Sequence, residues 1–125
     1  MSTFNRLHNC RNSYQMEFKR VLCVCSAGLL RSPTTAYVLS QEPYNFNTRA
    51  CGIEEDFALI PADEVLIQWA EEIVFMQQRH LDKALALFPE AMEGKRLVVL
   101  NIPDMYPYRD PILIEKIKKA YDESR

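Results

Sequence analysis

The sequence predicts an α/β fold: a single three-layer domain with a four-stranded, mostly parallel sheet and helices on both faces. Three observations carry that expectation. Four short strand-like apolar runs recur along the chain, separated by segments with helical spacing, which is the pattern of βαβ units. Two residue pairs, Ser32-Pro33 and Asp110-Pro111, have the chemistry of helix starts, a capping side chain followed by a first-turn proline. A length of 125 residues suits one core.

Lys19 to Cys25 (KRVLCVC) reads as the first strand. Ser32 then reads as the N-cap of the helix PTTAYVLSQ. After Pro43 a second strand-like run from Phe46 to Cys51 ends at Gly52, and the acidic stretch to Ile60 reads as loop. Between Ala62 and Ala70, Val65, Leu66 and Trp69 lie at helical spacing, which makes Trp69 a core residue. A third strand, EIVFM, follows at once and ends at Met76. His80 to Phe88 is helical up to Pro89, and His80 reads there as a structural residue. Arg96 to Leu100 is the fourth strand, and Asn101 to Arg109, with Pro103 and Pro107, is a loop. In the last helix Ile112, Ile114, Ile117 and Ala120 form the expected apolar stripe.

With 48% apolar and 26% charged residues, the chain is neither a disordered tail nor a repeat array. A net charge of -2 argues against a nucleic-acid surface but leaves room for a local basic pocket. No apolar run approaches the roughly 20 residues that span a bilayer, and the first twenty residues lack a secretory apolar segment, so a cytoplasmic protein without membrane contact is expected. Residues 1–18 read as an N-terminal extension, with Met16 as an alternative start, and residues 19–125 as the α/β domain. Cys10, Cys23, Cys25 and Cys51 are too few and too irregular for a disulfide framework, and Cys23 and Cys51 read as buried strand thiols. His8, Cys10, Cys23 and Cys25 lack the paired knuckles of a structural zinc site, so no metal is assigned.

In open α/β sheets ligands bind beyond the carboxyl ends of the strands, which directs attention to the loops after the first and fourth strands. The first is Cys25-Ser26-Ala27-Gly28-Leu29-Leu30-Arg31-Ser32. It carries a thiol at a strand end and a guanidinium where a helix begins. Backbone N–H groups of such a loop converge on an anion, the helix N-terminus adds partial positive charge, and a guanidinium binds two phosphate oxygens at once. The same field favours a Cys25 thiolate, and the Ser32 hydroxyl supplies a further donor to the sulfur. A nucleophile and an anion cradle therefore coincide.

VLCVCSAGLLRSPTTA resembles the N-terminal signature of the low-molecular-weight protein tyrosine phosphatases, a strand ending in a C-x5-R-[ST]-P loop. Ile102-Pro103-Asp104-Met105-Tyr106 resembles their Asp-Pro-Tyr loop, and the segment from Trp69 to Met76 with His80 is similar to a compact bacterial branch. The resemblance implies a metal-independent, cofactor-free phosphotyrosine phosphatase acting through a phosphocysteine. Cys25 would be the nucleophile, Arg31 the oxyanion clamp and Asp104 the general acid and base. Ser26, Ala27, Gly28, Leu29, Leu30 and Ser32 would form the cradle, Leu29 and Leu30 one wall of it, and Tyr106 and Tyr108 the aromatic entrance. The implied partners are a phosphotyrosine protein or small aromatic phosphoester, with phosphate or vanadate as simple anions for the loop. Gly28, Leu30, Ala50 and Met105 stand where the family has Asn, Cys, Ser and Pro. Two other readings use the same loop: a phosphate-binding module without turnover, and a thioredoxin-coupled arsenate reductase, against which stands the lack of any cysteine after Cys51.

Overall fold

A computed structural model describes residues 19–26, 31–54, 58, 60–103 and 105–124. The N-terminal extension, residues 1–18, lies outside the described residues. Among the described residues the chain forms β1 (Arg20–Cys25), α1 (Arg31–Ser40), β2 (Asn47–Gly52), α2 (Glu64–Trp69), β3 (Glu72–Phe75), α3 (Gln78–Leu87), β4 (Arg96–Val99) and α4 (Pro111–Ser124). The sheet order is β2-β1-β3-β4. Every pairing is parallel, so the expected "mostly parallel" sheet is parallel throughout.

The three layers follow from the period of two in β1. Val21, Cys23 and Cys25 point to one face, where they meet Val38 and Leu39 of α1 and Leu113, Ile117 and Tyr121 of α4. Leu22 and Val24 point to the other, against Leu66, Ile67 and Trp69 of α2 and Ala84 of α3. Both faces of the sheet are covered, which is why the central strands β1 and β3 run apolar from their second residue, whereas the edge strand β2 carries Asn47, Thr48 and Arg49. Trp69 is core, as expected. No helix among the described residues is long and apolar enough to cross a membrane.

Four local expectations shift. β2 starts at Asn47, one residue late, because Phe46 turns its ring onto Tyr44 and Tyr121. α2 is capped by Asp63, whose carboxylate accepts from the Leu66 N–H, so the helix is shorter than its apolar spacing suggests. The buried stripe of α4 is Leu113, Ile117 and Tyr121, whereas Ile112 is 60% exposed. Spacing alone did not reveal which of two adjacent stripes faces the sheet. Ser32 is not an N-cap but lies inside α1, which begins at Arg31.

At the amino end of the sheet the Glu72 carboxylate is fully buried. It accepts from Lys19 Nζ at 2.9 Å, Arg96 Nε at 2.7 Å and the Tyr121 hydroxyl at 2.7 Å. These bonds tie the residue preceding β1, the start of β4 and α4 to β3. A carboxylate removed from water needs such partners.

Candidate active site

Because β1 sits between β2 and β3, the chain leaves it first toward one edge and later toward the other, and its carboxyl end is the switch point at which open α/β sheets bind ligands. Cys25 is its last residue and is 3% exposed. Its Sγ lies 3.1 Å from Ser32 Oγ, so the loop after β1 returns the first turn of α1 to the end of the strand. Ser32 Oγ also donates to the Cys51 carbonyl at 3.2 Å. This bond to β2 is what draws Ser32 away from capping: its hydroxyl is used across the sheet and not along its own helix.

Arg31 opens α1 and is 2% exposed, an unusual depth for a guanidinium. Its Nη1 donates to Gln77 Oε1 and to the Ile102 carbonyl, both at 2.9 Å. Gln77 follows β3 and Ile102 follows β4, so three strand ends converge on one cation. Thr35 Oγ1 donates back to the Arg31 carbonyl at 2.9 Å and locks the turn.

Ser26 is held from two sides. Its carbonyl accepts from the Glu54 N–H at 3.0 Å, one residue beyond the bond from Ile53 N–H to Cys25 O. Its hydroxyl lies 3.0 Å from His80 Nε2 in α3. Glu54 is in turn bound to Lys83 of α3 at 2.7 Å, and that hydrogen bond holds its carboxyl below the ordinary carboxylate range. The other two described thiols differ in kind. Cys23 and Cys51 are fully buried, and desolvation pushes both well above the usual thiol range, which suits inert core residues.

The loop after β4 forms the facing rim. Asn101 takes a left-handed φ of 60°, which Asn tolerates. Arg109 takes 57°, which costs about 1 kcal/mol for such a side chain. Two contacts offset that cost: the Arg109 N–H donates to Thr34 Oγ1 at 2.9 Å, and its guanidinium stacks over Tyr37 with 3.8 Å to the ring centroid. Tyr108 lies beyond, 5.1 Å from the same guanidinium. The rim is thereby attached to α1. Tyr106 is half-buried against the α1–α4 face of the core, and Tyr108 is exposed.

Cys25, Ser26, Arg31 and Ser32 are therefore brought together. Ala27, Gly28, Leu29 and Leu30 lie outside the described residues, as does Asp104, whose neighbours Pro103 and Met105 are exposed. Sequence reasoning missed Gln77 and gave His80 no part in the site. The available signal was positional and applied to Gln77, two residues past the end of β3, where α/β sheets keep their ligand-facing residues; His80, inside the first turn of α3, carried none of its own.

No family model and no curated protein matches this chain. Solved structures do. The tyrosine phosphatase Wzb from Escherichia coli K30, in complex with phosphate, matches with a TM-score of 0.66 and 17% identity over 86% of this chain and 96% of that one. A low-molecular-weight phosphotyrosine phosphatase from Vibrio cholerae O395 matches at 0.57 with 21% identity, over 85% and 95% of the two chains. The YwlE arginine phosphatase from Geobacillus stearothermophilus matches at 0.56 with 24% identity, over 84% of each. The architecture is thus the low-molecular-weight phosphatase fold. At these identities the likeness is one of fold, and the chemistry is argued from this chain's own residues.

Proposed function

We propose that this protein is a cysteine-dependent phosphomonoesterase that hydrolyses phosphotyrosine. The observation that carries the reading is the Cys25 Sγ to Ser32 Oγ contact of 3.1 Å, next to the buried Arg31. A hydroxyl has one hydrogen and two acceptors here. With a thiol, S–H donates to Ser32 and Ser32 to the Cys51 carbonyl; with a thiolate, the Ser32 hydrogen turns to the sulfur.

Cys25 attacks phosphorus, the S–P bond forms and the bond from phosphorus to the phenolic oxygen breaks. Arg31 and the loop N–H groups hold the equatorial oxygens as their charge redistributes. Asp104 gives its proton to the leaving phenolate, then accepts one from the water that splits the phosphocysteine and releases phosphate. Tyr108, exposed in the loop after β4, and the half-buried Tyr106 support an aryl substrate. The fold is shared by tyrosine and arginine phosphatases, so the discriminating experiment offers both: phosphotyrosine peptide and phosphoarginine, with p-nitrophenyl phosphate as reference. Faster hydrolysis of phosphotyrosine is expected. Preference for phosphoarginine would reassign the substrate, and phosphate binding without any hydrolysis would make the protein a binding module.

A further inference from the structure

We propose that Gln77 and His80 are positioning residues, one turn of chain that braces both ends of the anion loop. Gln77 immediately precedes α3 and His80 lies in its first turn. The Gln77 backbone N–H donates to His80 Nδ1 at 3.2 Å. A backbone N–H can only donate, so Nδ1 carries the lone pair and the neutral ring carries its hydrogen on Nε2. The 3.0 Å contact with Ser26 is therefore a bond donated by His80 to Ser26 Oγ. Ser26 accepts, and its own hydrogen is directed away from the ring.

The second arm is the Gln77 side chain. Its Oε1 accepts from Arg31 Nη1 at 2.9 Å and from Arg79 Nη2 at 3.1 Å. Two guanidinium donors on one atom identify that atom as the amide oxygen, since an amide NH2 group accepts nothing. Ser26, next to the nucleophile, and Arg31, at the far end of the loop, are thus attached to a single turn of backbone. His80 is fully buried, so water does not compete for its bonds. A cradle built from backbone donors works only when those donors are held within about half an ångström of the productive geometry. A brace of this kind lowers the ordering cost of anion binding.

The inference rests on the phosphatase reading for the identity of the anion but not for the geometry of the brace. Two measurements on the full chain test it. Long-range 1H–15N spectra of the wild-type protein should show His80 as the Nε2–H tautomer; an Nδ1–H tautomer overturns the brace whatever the activity. Calorimetric titration with inorganic phosphate should then show about three- to tenfold weaker binding in Ser26→Ala and in His80→Leu, with the double variant no weaker than the weaker single one. His80→Gln, whose amide NH2 reaches toward the position of Nε2, should recover most of the loss, which a purely structural role would not predict. Multiplicative losses with intact phosphate binding in the wild type would overturn the brace alone. A wild-type protein that neither binds phosphate nor hydrolyses aryl phosphates would overturn both readings.

Discussion

The two ends of the sheet each bury a charge, and they treat it differently. At the amino end, Glu72 is closed in by Lys19, Arg96 and Tyr121, two formal positive charges and a phenol. At the carboxyl end, the Arg31 guanidinium donates to the carbonyl oxygens of Gln77 and Ile102, which fix its direction at the ends of β3 and β4. A charge matched by opposite charges is a structural clasp. A guanidinium whose direction is fixed at the strand ends suits an anion, and in the proposed function that anion is the phosphoryl group. Strand ends joined by short turns to helix N-termini gather donors at the carboxyl end, so the chemistry is assigned there.

Substitutions at the two ends should therefore separate activity from stability. The largest effect is expected at the nucleophile: Cys25→Ser should lower kcat for p-nitrophenyl phosphate by roughly four orders of magnitude or more while thermal unfolding stays close to wild type. Retained turnover in that variant would remove the phosphocysteine from the mechanism. Asp104→Asn should cost about a hundredfold or more in kcat, with a smaller loss for leaving groups that need no proton. Loss of the same size across all leaving groups would deny Asp104 its role as acid.

At the opposite end, Glu72→Gln should leave kcat unchanged and lower stability by about 1–3 kcal/mol in denaturant titration, because hydrogen bonds to a charged group are lost. The cost stays modest since Lys19 and Arg96 are partly exposed and regain water. A fall in kcat without a change in stability would mean that the two ends are coupled. The smallest effect concerns the partly exposed Glu54–Lys83 pair. The folded-state pKa of Glu54 is lowered, so its contribution is present above the ordinary carboxylate value of 4.5 and is lost as pH falls through the folded value. Glu54→Gln should accordingly lower stability slightly at neutrality, where the contribution is present, and leave it unchanged well below pH 4.5, so that the acid limb of the stability profile flattens. A variant less stable than wild type at pH 7 by more than the usual surface effect would show that the Glu54 clasp on Ser26 matters more than its exposure suggests.

Much of the architecture was legible along the chain. Val21, Cys23 and Cys25 alternate with Leu22 and Val24, and both sets are apolar, which demands a strand covered on both faces. Cys25, Arg31 and Ser32 were legible because a thiol at a strand end and a guanidinium at a helix start lie on one short stretch. Gln77 and His80 were not. A polar residue pair after a strand fits any ordinary helix start, and what makes these two distinct is a partner loop some fifty residues earlier in the chain.

The sequence by itself determined the order of strands and helices, the apolar faces and the local constellation around Cys25, because hydrophobic period and turn chemistry act over a few residues. Only the tertiary structure decided that Ser32 bonds across to β2 instead of capping α1, that Leu113 and not Ile112 faces the core, and that one turn of α3 reaches both ends of the anion loop. Hydrogen bonds between distant segments depend on the register of strands and the docking angle of helices. Those are set by the packing of the whole core, which no local pattern encodes.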